Sequence, residues 1–412
     1  MTIAWKTAIT LGALGLSTGV ASAACGIESG SVRVLSNDFP ALHDVVEKAK
    51  ECAGDGVTVT ANQTAEHESL AVPALSANPA EYTSHFVANS SLQPLLSNDL
   101  IRPLNDYIET YGKNISERQK IKIGDDVMVI AFDANAQHLF FREDILKEAG
   151  IEPPKTYEDV LAAAKAIKDK GLMAYPLTGT YKAGWNLAEE FVNMYLGMGG
   201  EFFEPGSAKP AIDNEKGVAA LEMMKSLSAY MNPDYLTFDS NSVQAELESG
   251  SAAIANFWGS RYGAVVDDEG STPKIAGSIK VAAAPTVGGG GTIPATTLWW
   301  DGYTVAKNIS DADALATFIA LDHGASAEMA NANPDAAVWL IDGYEPGPGA
   351  IGVLDSMSQG AKPYPMVPYM GLLHTALGAE IVDFMKGEED AAKALADTEA
   401  AYSAAAREKG FL

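Results

Sequence analysis

Positive charge is scarce in this sequence: 28 Lys and Arg stand against 54 Asp and Glu in 412 residues, a net charge of −26. Affinity for phosphate backbones comes mainly from clustered Lys and Arg, so a nucleic-acid partner is excluded, as is docking on an anionic membrane surface. Histidine is equally sparse. The six, His43, His67, His85, His138, His323 and His374, include no two at metal-ligand spacing, and His67-Glu68 is followed by Ala71 where a zinc-protease helix needs its second histidine. No G-x-S-x-G elbow and no C-x-x-C pair occurs, and no G-x-G-x-x-G follows the first strand. Gly288 to Gly291 lack the Lys-Ser/Thr of a phosphate loop and read as a flexible turn. No metal or cofactor is therefore expected. Carboxylates are abundant, so a pair for acid–base catalysis stays open on spacing alone.

Hydrophobic residues make up 47% of the chain and charged ones 20%, the balance of a packed globular protein. The length suits two or three domains. The one long apolar stretch, Ala8 to Val20, follows Lys6 and ends in Ala21-Ser22-Ala23, which reads as an export signal over residues 1–23 with cleavage before Ala24. It is short and weakly apolar for a membrane span. The only cysteines, Cys25 and Cys52, fall just after it. In an oxidising compartment such a pair forms a disulfide worth about 3 kcal/mol, the alternative being two free thiols.

Strand-like and amphipathic helical runs then alternate, which points to sheets with helices on both faces. Val32 to Leu35, Val57 to Thr60, Val127 to Phe132, Ala252 to Phe257 and Ile279 to Ala284 read as strands. Helices are expected from about Ala41 to Ala53 and after Pro153-Pro154, the latter capped by Thr156 and ended by Gly171. Further helices start near Asp213, end at Gly250, and carry Leu315, Phe318 and Ile319 on one side. The total is too long for one sheet, and two α/β lobes are the economical solution.

Aromatics recur beside short polar groups: Tyr181 and Trp185 near Asn186 and Glu189, Phe257 and Trp258 near Asn256 and Arg261, Trp299-Trp300-Asp301, and Tyr364 with Tyr369. Sugars present apolar C–H faces and a rim of hydroxyls, so their sites need flat platforms plus bidentate donors and acceptors. Core packing explains such aromatics equally well, Trp258 having the better claim because Gly259-Ser260 permits a turn at a cleft mouth. Trp300, Asp301, Arg261 and Tyr369 enter as ligand candidates on this chemistry alone. Glu66 is a weaker one.

Phe140-Phe141-Arg142-Glu143-Asp144-Ile145-Leu146, Ala149-Gly150-Ile151 and Pro153-Pro154-Lys155-Thr156-Tyr157-Glu158 resemble the central signature of family 1 extracellular solute-binding proteins, the sugar-capturing subunits of ATP-driven (ABC) importers of the maltose-binding type. Asn193 to Gly200, Gly250 to Ile254 running into Trp258-Gly259, Ala284-Pro285 and the stretch from Ile381 to Gly410 are similar to the same family in order. The resemblance implies a two-lobe periplasmic-binding-protein fold of type II, each lobe a mainly parallel sheet flanked by helices, with the ligand in the cleft between them. It implies lobes formed by residues 24–135 plus 287–332 and by 136–286 plus 333–412, with crossings near Asp133 to Gln137, Pro285 to Gly289 and Asn331 to Ala336. It assigns Asn37, Asp38, Asn89, Asp133 or Asn135, Trp185 and Trp258 as ligand contacts. The expected protein is a periplasmic monomer without catalysis that delivers a carbohydrate to permease subunits and, once its signal is removed, does not insert in the membrane. A secreted carbohydrate-active enzyme is the rival. The same fold holding a polyamine or other cation is the third reading. Cys25, Cys52 and Trp299-Trp300-Asp301 depart from the family pattern.

Overall fold

The computed structural model describes residues 24–267, 269–288 and 291–412. The export signal and two glycines of the glycine turn, Gly289 and Gly290, lie outside the described residues. Among the described residues twelve strands form two sheets. β1 (Gly30–Ser36), β2 (Val57–Gln63), β3 (Ser84–Ala88), β4 (Lys120–Ile123), β5 (Asp126–Asn135), β10 (Thr297–Tyr303), β11 (Val338–Trp339) and β12 (Lys362–Pro363) build the first. The second contains β6 (Gln137–Arg142), β7 (Leu177–Thr178), β8 (Ile254–Trp258) and β9 (Ile279–Ala282), in the order β7-β8-β6-β9. Among the described residues, nine helices reach ten residues or more: α1 (Pro40–Lys50), α2 (His67–Ser76), α3 (Tyr157–Asp169), α4 (Trp185–Gly197), α5 (Glu215–Ser228), α6 (Ser240–Ser249), α7 (Asp311–Gly324), α8 (Met370–Lys386) and α9 (Ala391–Glu408).

Local chemistry sets these bounds. α1 buries Ala41, Leu42, Val45, Val46 and Ala49, a stripe at three- and four-residue spacing that faces the first sheet. Thr156 caps α3 by accepting from the Asp159 amide at 3.0 Å while the Asp159 carboxylate accepts from Thr156 N. β5 is buried from Val127 to Asn135, and its apolar run from Val127 to Phe132 is divided between two core clusters.

The expectation of mainly parallel sheets holds for β1, β2 and β3. β10 runs antiparallel to both β3 and β5, because the chain enters it from the other lobe. In the second sheet β6 is antiparallel to β8 and β9, and only β7 with β8 is parallel. At Gly302 a Cβ would meet the Ile130 carbonyl oxygen at 2.7 Å, so glycine lets β10 close on β5 where their register shifts.

Each lobe has its own apolar core. Val287 and Ala295, expected with the first lobe, pack in the second. Ala337, Trp339 and Ile341, expected in the second, pack in the first, since β11 pairs with β5 and the Trp339 indole donates to Asn333 O. The third crossing therefore falls after Ile341 and not at Asn331 to Ala336. The first crossing is the turn from β5 into β6, at Ala136.

Candidate functional site

A cleft of about 520 Å³ opens between the lobes. Its first-lobe wall comes from loops beyond the carboxyl ends of β1 and β3, the usual ligand position in open α/β sheets, and from the start of α2. Asn37 and Asp38 follow β1, Ser90 follows β3, and His67 and Glu68 begin α2. The second-lobe wall is built from Lys182 and the α4 start at Trp185 and Asn186, the α6 start at Asp239 to Asn241, and Trp258 at the end of β8 with Ser260 and Arg261 after it.

Three indoles form one face. Ring centroids lie 5.7 Å apart for Trp185 and Trp299, 6.1 Å for Trp258 and Trp299, and 6.4 Å for Trp185 and Trp258. Trp185 is 42% exposed and offers a platform, whereas Trp299 is 6% exposed and backs it. Tyr364 lies 4.3 Å behind Trp299, and the His374 ring sits 4.9 Å from Trp185. The Trp299 Nε1 donates toward Thr297 Oγ1 at 2.7 Å and Glu189 Oε1 at 3.1 Å.

Carboxyls line the same cleft. Asp301 lines the cleft, and its amide donates to Asp133 Oδ1 at 3.0 Å beneath it. Their side chains are hydrogen-bonded to each other as well. Burial pushes both carboxyls up from the usual range, and the charge of Asp301 raises Asp133 further. Glu68 faces the open cleft. Crowding by the surrounding protein pushes it up, and the hydrogen bond from Ser90 Oγ at 3.1 Å opposes that shift. His67 Nδ1 meets His85 Nε2 at 3.0 Å, and burial pushes the two rings down to about 4 and about 3, which keeps them neutral.

Other charges at the cleft are partnered. Asp38 Oδ1 lies 2.7 Å from His43 Nε2, Lys182 Nζ lies 3.1 Å from Asp239 Oδ2, and Arg261 donates to Gln244 Oε1 at 3.2 Å. Asn135 ends β5 and bonds across the boundary, donating to Ser260 Oγ at 3.0 Å and accepting from Ser260 N. The group with metal-ligand geometry among the described residues, Cys25, Cys52 and His323, lies outside the cleft lining, and its two sulfurs are joined as the expected disulfide.

Seven expected contacts thus line one cleft: Asn37, Asp38, Asn135, Trp185, Trp258, Arg261 and Asp301. Four do not. Trp300 faces the opposite side of β10 from Trp299 and Asp301, as strand alternation demands, and packs in a first-lobe core cluster. Asn89 is buried, donating to Leu298 O and accepting from Trp300 N, and so fixes β10 instead of a ligand. Asp133 lies under Asp301 and reaches the cleft only through it. The Tyr369 hydroxyl donates to Ser207 O, with its ring edge-on to Phe203 in the second lobe. The weaker candidate Glu66 is tied to Thr64 Oγ1, and the acid in the cleft is Glu68. Sequence reasoning also missed His67, Lys182 and Asp239 to Asn241. Their Asp-Ser-Asn pattern carries a helix-cap signal, since Asp239 accepts from Ser242 N, and that signal concealed the cleft role.

A family model described as bacterial extracellular solute-binding protein matches residues 36–348. The chain belongs to this family. Its fold is shared by solved structures of low sequence identity. A solute-binding protein of an ABC transporter from Agrobacterium radiobacter K84, in complex with ribitol, superposes with TM-score 0.78 at 17% identity over 90% of this chain and 97% of that one. Maltose-bound MalE3 of T. maritima gives TM-score 0.76 at 15% identity, over 91% and 99%. The GacH receptor of Streptomyces glaucescens, solved unliganded and with acarbose, gives 0.75 at 18%, over 91% and 97%. Among the described residues no helix is long and apolar enough to cross a membrane.

Proposed function

We propose that this solute-binding protein captures a carbohydrate or polyol between its lobes and delivers it, unchanged, to the permease of an ABC importer. The observation that carries the reading is one cleft lined both by the indoles of Trp185, Trp258 and Trp299 and by the carboxyls of Asp38, Glu68 and Asp301. Indoles bury the apolar face of a sugar ring, and carboxyl and amide groups take up its hydroxyls. The ribitol, maltose and acarbose complexes named above support the same class. Contacts from both lobes stabilise the closed arrangement over the open one, and only such differential contact drives closure. A micromolar ligand requires about −8 kcal/mol in all, within reach of a few stacks and charge-assisted hydrogen bonds. Periplasmic residence as a monomer, with permease subunits as partner, belongs to this proposal.

The directly bonded carboxyl pair does not favour the enzyme reading. Asp133 and Asp301 bond directly to each other, whereas the two carboxyls of a glycosidase stand about 5 to 9.5 Å apart with the sugar between them. The acids of the first-lobe wall do favour a second reading, a ligand that carries an amine. A melting-shift panel of polyols, mono- and disaccharides with spermidine as the cationic arm separates the two. Saturable stabilisation by a sugar or polyol, with the compound recovered intact, is the expected result. Turnover, or a shift with spermidine alone, overturns it.

A further inference from the structure

Beneath the cleft wall lies a buried network that ligand capture does not by itself require. Trp185, Glu189 and Asn193 are spaced by four along α4 and share one face of that helix. On the crossing strand β10, Thr297 and Trp299 alternate onto one side. The two faces meet: Thr297 Oγ1 lies 2.5 Å from Glu189 Oε1 and 2.7 Å from Asn193 Oδ1, and Thr297 N donates to Asn193 Oδ1 at 2.7 Å. An indole N–H can only donate, and the acceptors within reach of Trp299 Nε1 are Thr297 Oγ1 and Glu189 Oε1. Glu189 is wholly buried, and its Oε2 has no partner among the described residues.

We propose that Glu189 is a positioning residue for recognition: it sets the orientation of the Trp299 indole in the cleft wall and ties α4 of the second lobe to the strand that enters the first. The proposal rests on the capture reading only for what Trp299 faces. The arrangement of hydrogens is the physical basis. The Thr297 hydroxyl has one proton and two acceptors in reach. When Glu189 Oε1 carries a proton it donates to Thr297, which then donates to Asn193. When Glu189 is ionised, Thr297 turns its proton to Glu189, and Trp299 Nε1 gains a charged acceptor.

Burial pushes Glu189 up to about 8, so the two arrangements exchange in an accessible range. The titratable groups facing it are Glu190 on the same helix, Tyr364 behind Trp299, and His374 on α8, which bonds to the Tyr364 hydroxyl. Glu190 is pushed up to about 7 by burial, and its Oε1 accepts from Gln137 Nε2 at 3.0 Å and from Thr180 Oγ1. Burial holds His374 down to about 4, hence neutral.

The test uses the protein labelled with 5-fluorotryptophan, with the Trp299 resonance assigned by Trp299→Phe. In the wild type this resonance moves with a midpoint near pH 8. Glu189→Gln keeps the acceptor, holds the shift close to the acid-side value and abolishes the step. Glu190→Gln retains the step with a lower midpoint, because the neighbouring charge that raises Glu189 is gone. A step that survives Glu189→Gln, or a Trp299 resonance that stays flat in the wild type, overturns the proposal. Neither readout requires a ligand. If ribitol, D-mannitol and maltose all fail to shift the melting point, the carbohydrate reading suffers and the fluorine titration still decides the role of Glu189.

Discussion

At the scale of the residue, adjacent tryptophans divide by strand alternation. Trp299 and Asp301 look into the cleft and Trp300 looks into the first-lobe core. A tryptophan in the cleft wall and one in the core therefore lose different things when truncated. Trp258→Ala, which removes a cleft platform, is expected to weaken ligand binding by roughly 2–4 kcal/mol, the scale of an interface hot spot, and so to erase most of the ligand-induced melting shift. Trp300→Ala should leave that shift intact while lowering the stability of the empty protein by about 2–3 kcal/mol, short of the cost at a fully buried tryptophan. Calorimetry on both variants, with and without ligand, reads the two effects separately, and equal losses of affinity would contradict the assignment.

At the scale of the element, β10 decides the architecture. It leaves the second lobe at Thr297, passes the Trp wall, and inserts antiparallel between β3 and β5. Asn89 secures it by bonding Leu298 O and Trp300 N across the end of β3. Asn89→Ala orphans these groups and should cost about 1–3 kcal/mol in chemical denaturation, with little change in the affinity of the folded protein. α1 and its flanks are held by the Cys25–Cys52 disulfide, which closes a 27-residue separation. Replacing both cysteines by serine should remove about 3.5 kcal/mol in the chain-entropy account, seen as a lower denaturation midpoint that added reductant no longer moves.

Much of this level is legible in the sequence. The cap at Thr156, the stripe of α1 and the apolar run of β5 are local signals, and they produce the elements they announce. Asn37 and Asp38 sit just past the end of β1 and Trp258 is the last residue of β8, where α/β sheets place their ligands. The Asn89 role was not readable, because an asparagine after a strand looks the same whether it faces a ligand or a neighbouring strand. Nor was the antiparallel entry of β10, which depends on residues about 170 positions apart meeting in register.

At the scale of the whole molecule, buried titratable groups set opposite slopes of stability against pH. Burial raises Glu189 to about 8 and Glu190 to about 7 from an ordinary 4.5. Their contribution is fully present below about pH 4.5 and is lost as pH rises through 7 to 8. Four histidines work the other way: burial lowers His67, His138 and His374 to about 4, and His85 to about 3, from 6.5. What they contribute is present above 6.5 and is lost as pH falls through that lower range. Between 4.5 and 6.5 the two sets oppose each other, and above 6.5 only the carboxyl slope remains. The melting temperature of the empty protein is expected to decline from pH 6.5 to 8, and a rise over that interval would refute the burial of these carboxyls.

The late arrival of β10 also has a consequence for biogenesis. Until residue 303 has been synthesised, the first sheet consists of two separate pieces, β1, β2 and β3 on one side of a gap and β4 with β5 on the other. A nascent chain in that condition cannot close its amino-terminal half. Pairing distant segments is slow, so this sheet is expected to be completed late, only once β10 has been inserted between its two halves.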